Sequence, residues 1–331
     1  MTFIQRYADS LAFAPEFGDG LSNHLPMALV AAEWLEERLG LAGRVEAFFA
    51  AYAPRLEPLA TDGKTEAILG DYASLGAFDA AYSEQIHRRG SAAALTDALG
   101  VLGRAVPATA GHGLLRVYFA VEALALAPDL AARELARGLS YWAARYHILS
   151  DAERGSSSLS EVLSGLVPLA EADRIEMRQH RLITERQDAV SRSPIFRTAA
   201  ASVDGASVDV LGVAARLAAV AVTRPDFTLL HALTTAQAIL GLAAALPELD
   251  LGPLKQGWSD FVIAACLTEN LPTQPTAPPG AATVDQLRAL VATTVDDHAI
   301  KSAFSLLRLH DLSQDPVFLS AALALQQAFH Q

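Results

Sequence analysis

Apolar residues recur at every third or fourth position along most of the chain, a spacing that gives an α-helix one apolar face. The first predicted helix starts near Ser22 or Asn23, whose side chains can cap free backbone N–H groups, and runs to about Leu39. Alternating runs of β-branched and aromatic residues, which predict strands, are scarce. The other predicted helices cover residues 44–52, 78–88, 91–104, 111–127, 130–149, 159–167, 171–190, 210–222, 227–246, 254–269, 284–309 and 316–329. The pattern therefore predicts an all-α protein built as a multi-helix bundle or array.

Three stretches interrupt the helical spacing. Residues 154–158 are rich in serine, and residues 270–283 contain four prolines and a glycine, which helices and central strands exclude. A weaker break spans residues 191–207. The sequence shows no fixed-period repeat. We therefore expect one helical domain over residues 1–331, with 191–207 as the point of a weak subdivision.

Composition and charge narrow the function classes. Hydrophobic residues make up 52% of the chain, which is enough apolar surface for a large core and argues against disorder. The net charge is −12, and no basic stripe is present, so we expect neither nucleic acid nor an anionic membrane as a partner. One cysteine, Cys266, excludes an internal disulfide, and residues 1–17 show no signal-peptide pattern. These features predict a soluble, cytoplasmic protein.

The segment 229–246 contains no Asp, Glu, Lys or Arg and reaches the minimum length that spans a bilayer. It includes His231, Thr234, Thr235 and Gln237, and it lacks flanking aromatic or basic anchors. A helix that is apolar on every side is also what the centre of a large protein core requires. We therefore expect a buried core helix here.

Four histidines occur at or inside apolar helices in separate parts of the chain: His24, His112, His231 and His298. A single core histidine usually bonds a backbone carbonyl. Four of them also fit a shared metal site, in which the metal takes the imidazole lone pair and a neighbouring acceptor takes the N–H. The sequence leaves both interpretations open. The remaining histidines rank lower, and His87, His180 and His330 are expected at the surface. A structural role is expected for His147 and His310, with a pocket wall and a reserve ligand as their respective alternatives.

Lys301 follows His298 by three residues and so shares its helical face. If that face is buried, desolvation favours the neutral amine, which can react with carbon dioxide to give an anionic carbamate ligand. The alternative is an ordinary solvated pair, because Asp297 and Lys301 have the i,i+4 spacing of a helix-surface ion pair.

Common catalytic motifs are absent from the sequence. It contains no Gly-rich phosphate loop, no G-x-G-x-x-G after a strand and no G-x-S-x-G elbow. Cys266 lies alone in an apolar helix, where an inert thiol is expected.

In five places the chain resembles the questin oxidase family. The matching segments are residues 17–26 (FGDGLSNHLP), 111–115 (GHGLL), 141–146 (YWAARY), 229–234 (LLHALT) and 296–301 (DDHAIK). The family includes fungal enzymes that open anthraquinone-type rings and are described as Baeyer–Villiger-type or ring-cleaving oxygenases. One branch resembles non-haem iron enzymes with four histidines and a carboxylated lysine.

The resemblance implies a buried Fe(II) site between helices, and the ligands carried over by position are His24, His112, His231, His298 and Lys301. It further implies a monooxygenase or dioxygenase that uses O2 on an aromatic or quinone-type substrate. NADPH is implied for some members only, and no nicotinamide motif is present here.

Other residues of the same segments and helices are candidates for substrate contacts. Arg116 and Gln237 are the candidate catalytic residues, which would orient a phenolate or a peroxide. The candidate pocket walls are Tyr118, Phe119, Trp142 and Tyr146, for each of which core packing is the expected role and a pocket wall the alternative.

Two alternatives remain open at this stage. The same histidines suit a Zn-dependent hydrolase, in which the metal polarises a water molecule. They also suit a helical ligand-binding protein without catalytic activity, in which they are core residues.

Overall fold

Helices make up most of the computed structural model, which describes residues 2–59, 63–271 and 282–329. Seventeen α-helices lie within these ranges. In chain order, α1 to α17 are Phe3–Ser10, Leu25–Leu39, Arg44–Tyr52, Leu75–Arg89, Ser91–Leu102, His112–Ala123, Pro128–Ala144, Leu159–Ser164, Glu171–Arg178, Ile183–Ser191, Pro194–Ser202, Val210–Thr223, Phe227–Ala245, Gly252–Thr268, Val284–Val291, Asp297–Ser313 and Pro316–Phe329. The prediction of an all-α, multi-helix array is confirmed.

A small hairpin and several short helices were not anticipated. β1 (Glu16–Phe17) pairs antiparallel with β2 (Leu21–Ser22), and α1 precedes them with Phe3 and Tyr7 buried. The expected break at 191–207 contains α11, which begins where the Ser193 hydroxyl accepts a hydrogen bond from Phe196 N–H. The predicted loop at 270–283 falls mostly on residues 272–281, which lie outside the described residues.

Two predicted helices are each split by a side-chain cap. The predicted helix 171–190 divides into α9 and α10, because Glu185 Oε2 accepts a hydrogen bond from Leu182 N–H at 3.0 Å and starts a new helix. The predicted helix 284–309 divides into α15 and α16, because Asp296 Oδ1 accepts from Ala299 N–H at 2.8 Å. A predicted helix over 130–149 was too long, since α7 ends at Ala144.

The buried hydrophobic side chains form one cluster that extends from Phe3 to Leu325. Within it lies α13, which is the one described helix long and apolar enough to cross a membrane. Most of α13 is buried against α6, α12, α14 and α16. Its uncharged surface is thus covered by protein, as the sequence predicted for a core helix.

Four helices form a closed circuit around this core. α2 packs on α6, α6 on α13, α13 on α16, and α16 again on α2. Each carries one of the candidate histidines near its N-terminal end: His24 immediately before α2, His112 as the first residue of α6, His231 in the second turn of α13, and His298 as the second residue of α16. The packing therefore brings four helix N-termini to one place.

Replacing Gly113 with alanine should destabilise the protein. An added Cβ would lie 2.5 Å from Trp142 Cγ, and the Trp142 indole is held by its N–H bond to the Ala105 carbonyl at 2.8 Å. Overpacking of this kind costs roughly 1–3 kcal/mol of unfolding free energy. Urea unfolding of Gly113→Ala measures the loss.

Gly100→Ala is the matched control, because an added Cβ in the last turn of α5 meets nothing within 4 Å. The control should gain about 0.5–1 kcal/mol from helix propensity. Equal stability of the two variants would contradict the close approach of α6 and α7.

Candidate metal centre

The imidazole rings of His24, His112, His231 and His298 meet in one cluster. Their centroids lie 4.5 Å apart for His24 and His112, and 4.9 Å apart for His112 and His231. The ring centroids of His231 and His298 lie 5.6 Å apart, and those of His298 and His24 lie 4.7 Å apart. The structure thus unites the four histidines that the sequence singled out.

The backbone fixes the orientation of two of these rings. Nδ1 of His231 lies 2.7 Å from the Phe227 carbonyl oxygen, and Nδ1 of His112 hydrogen-bonds the Thr109 carbonyl. A carbonyl only accepts, so each Nδ1 carries the proton and each Nε2 keeps its lone pair. His112 Nε2 is buried and has no hydrogen-bond partner among the described residues. A buried nitrogen of this kind fits a metal ion.

Asp297 orients the other two rings. Its Oδ2 hydrogen-bonds His24 Nδ1 and lies 3.1 Å from His298 Nδ1. Carboxylates in this position fix the tautomer of a metal-binding histidine and increase its basicity. The buried Asp297 carboxylate thus lies at Nδ1 of both rings, and Nε2 of each ring is left to bind a metal.

The ligand atoms of His24, His112 and His298 all lie within 4.8 Å of one another, which is compatible with a shared ion. His231 is not in that closest group, although its ring lies beside two of the three. The donors are all imidazole nitrogens, which suit Fe, Zn and related ions.

Burial lowers the pKa of all four imidazoles, and positive charge on Lys301 lowers it further. For His231 the pKa falls to about 4. The rings are therefore neutral at neutral pH, which is the form that binds metals.

Lys301 is 1% exposed, and burial lowers its pKa to about 8, against the opposing effect of Asp297 and Asp296. Since Asp297 is buried as well, the interpretation of Asp297 and Lys301 as a solvated surface pair is wrong. The carboxylated form of Lys301 stays a prediction.

A strained turn precedes His112. Thr109, Ala110 and Gly111 have φ values of 53°, 54° and 86°, so three consecutive residues adopt the left-handed conformation. This turn places the Thr109 carbonyl against the His112 ring. Such strain in residues other than glycine persists where the surrounding structure enforces it, and it is common at functional sites.

A cavity of about 660 Å³ reaches the histidine cluster. All four histidines and Asp297 line it, together with His147, for which a pocket wall was the alternative to a structural role. Aromatic and apolar residues form much of the remaining wall, namely Phe17, Leu21, Leu182, Ile183 and Phe227. The Phe227 ring lies 4.5 Å from the His298 ring and 4.8 Å from the His231 ring.

The two predicted catalytic residues do not line this cavity. The Arg116 guanidinium forms a buried, two-pronged ion pair with Glu134, at 2.5 and 3.1 Å. Gln237 donates to the Tyr118 hydroxyl at 2.8 Å. Both side chains lie inside the core, away from the cavity that reaches the histidines, and their catalytic role stays a prediction.

The four candidate wall residues pack in or against the core, as expected, and do not line the cavity. Tyr118, Phe119 and Trp142 are core residues, and Tyr146 packs against the core. The first three lie on faces of α6 and α7 that pack between helices.

His310, His87 and Cys266 lie outside the histidine cluster. His310 is not near the cluster, because it lies in the last turn of α16 and bonds the Asp315 carbonyl. His87 is exposed as expected, and His330 lies outside the described residues. Burial raises the pKa of Cys266 to about 12, in keeping with an inert thiol.

Sequence reasoning missed Asp297, Thr109 and Phe227 as members of the site. Asp297 precedes a candidate histidine in a helix that Asp296 caps, and this signal was available. The roles of the Thr109 carbonyl and the Phe227 ring depend on backbone conformation, which residue types do not reveal.

No protein-family model matches the sequence, and no curated protein matches it either. The resemblance to the questin oxidases therefore stays a prediction.

Asp297→Asn should weaken metal binding by about 10- to 100-fold, because the neutral amide no longer offers a charged acceptor to His24 Nδ1 or a negative charge beside His298 Nδ1. A titration of Fe(II) or Zn²⁺ against a competing chelator measures the change. Asp285→Asn, on the exposed face of α15, is the matched control and should bind like the wild type. Unchanged affinity of Asp297→Asn would show that Asp297 does not orient the ligands.

Metal-free protein should lose stability as the pH falls from about 6.5 to about 4. Above about pH 6.5 the His231 imidazole is neutral in both the folded and the unfolded protein. Between about pH 6.5 and pH 4 the imidazole binds a proton only in the unfolded chain. The free energy of unfolding then falls by roughly 1.4 kcal/mol per pH unit for each histidine that behaves so. Urea unfolding across this pH range tests whether the unfolding free energy falls as expected. Metal-loaded protein should lose less stability, because the metal and the proton compete for the same imidazole nitrogens.

Proposed function

We propose that the histidine cluster holds one Fe(II) ion and that the protein is an oxygenase for an aromatic or quinone-type substrate. The observation that carries the metal site is the set of four converging imidazoles, three of which use Nδ1 for a hydrogen bond while Nδ1 of His298 lies 3.1 Å from Asp297 Oδ2. The choice of iron and of oxygenase chemistry comes from the resemblance of five sequence segments to the questin oxidases. An apolar cavity beside the cluster suits a planar ring.

When bound, the metal would supply the activation of O2. The residues of the chain would perform the other tasks. Asp297 and the carbonyls of Thr109 and Phe227 accept the Nδ1 protons of His24, His112 and His231, which leaves the Nε2 lone pairs of these rings available to hold a metal. The Phe227 ring offers a stacking surface beside two of the ligands.

Lys301 enters the proposal as a further ligand after carboxylation. Its pKa of about 8 leaves a fraction of neutral amine at neutral pH. The amine nitrogen would form a bond to the carbon of CO2 and release a proton, which gives an anionic oxygen donor. A monooxygenase would also need a two-electron donor such as NADPH, whereas a dioxygenase would not.

The same nitrogen donors favour a second candidate, a Zn-dependent hydrolase, because Zn²⁺ also prefers imidazole ligands. A third candidate is a ligand-binding protein without a metal. The identity and amount of bound metal separate the three.

Protein purified without air or chelator should contain near-stoichiometric iron by elemental analysis. The His112→Ala/His231→Ala variant should lose the iron, because two ligands and their lone pairs are removed. A His87→Ala/His180→Ala variant is the matched control, and it should keep the iron. Circular dichroism checks that each variant is helical.

Oxygen uptake with a hydroxyanthraquinone should then follow the iron content of these proteins. Near-stoichiometric zinc would favour the hydrolase, and the absence of metal from the wild type would contradict both metal proposals.

A further inference from the structure

The carboxylates near the mouth of the cavity already have partners. Glu16 accepts two hydrogen bonds from the Arg145 guanidinium, at 2.5 and 2.9 Å. Asp188 pairs with Arg192 at 2.5 Å. Glu185 is occupied by the backbone amide that precedes its helix. Two of these three carboxylates are therefore paired with guanidinium groups, which offset their negative charge.

Arg55 also lines the cavity. Unlike Arg145 and Arg192, it forms no ion pair with a carboxylate in the described parts of the chain. Its guanidinium lies 4.8 Å from the centre of the Tyr52 ring and 5.6 Å from that of the Phe17 ring. Tyr52 is tied to the histidine cluster, since its hydroxyl accepts a hydrogen bond from the His24 backbone N–H at 3.2 Å. The guanidinium is thus held on an aromatic platform at the edge of the cavity, where its fork matches a carboxylate.

The inner end of the cavity also favours negative charge. The N-terminal ends of α2, α6, α13 and α16 converge there, and helix N-termini carry partial positive charge. A ligand with an anionic group is therefore favoured over a neutral one along this cavity.

The wall between these two ends suits an aromatic ring. Phe227 is 41% exposed although its ring contacts two buried histidines. Leu182 and Ile183 line the same cavity. A volume of about 660 Å³ accommodates a ligand of two or three fused rings.

We propose that the cavity binds an aromatic carboxylate, with the carboxylate paired to Arg55 and the rings directed toward Phe227. This inference deepens the proposed function, since it assigns the substrate class of the same cavity. It depends on the cavity being the ligand site and does not depend on which metal the histidines bind.

Calorimetric titration with 2-naphthoate and with neutral 2-naphthamide tests the inference. The full chain is used as purified and after treatment with a chelator. The wild type should prefer the carboxylate by about tenfold or more in both forms, because hydrogen bonds to charged groups are stronger than neutral ones. Arg55→Gln should remove this preference and leave naphthamide binding unchanged, and Arg55→Lys should give an intermediate result.

Arg88→Gln is the matched control, because Arg88 is an exposed arginine outside the cavity, 3.8 Å from Glu84. It should bind both probes like the wild type. The inference is overturned by equal binding of the two probes to the wild type, by a preference that survives in Arg55→Gln, or by no binding of naphthoate. Because the preference is expected with and without iron, the two proposals can fail separately. An Arg55-dependent preference in protein that holds no iron as purified would contradict the metal proposal alone, whereas iron in the purified protein without the preference would contradict this inference alone.

Discussion

A buried imidazole must satisfy two ring nitrogens, and this constraint governs the centre of the molecule. An unpaired polar atom in a core is costly, so each of the four histidines needs an acceptor for its N–H and a use for its lone pair. The acceptors are supplied by Asp297 and by two backbone carbonyls. The lone pairs on the Nε2 atoms, which lie together within the histidine cluster, are the basis for the proposed metal site.

Much of the surrounding structure serves this arrangement. The left-handed turn at Thr109 and Ala110 brings a carbonyl to one ring, and the cap at Asp296 starts the helix that carries another. The closed packing of α2, α6, α13 and α16 then sets the spacing between the rings. Small residues at the α6–α7 contact, such as Gly113, allow the close approach that holds α6 in place.

The electrostatic character of the cavity follows from the same packing. At its inner end, burial lowers the pKa of the imidazoles, and the helix N-termini beside them carry partial positive charge. At the outer end Arg55 lies on aromatic rings without a carboxylate partner among the described residues. Both ends therefore favour an anionic ligand, while the wall between them is apolar.

Hydrophobic spacing determined the all-α fold, and the burial of α13 followed from its lack of charge, because both depend on local periodicity and composition. The four histidines stood out for the same reason, as polar residues in apolar helices. Only the tertiary structure decided that Asp297 lies inside and that Arg116 is occupied by Glu134. Those partners are far apart in sequence, and their pairing depends on which helix faces meet, a property that no local pattern contains.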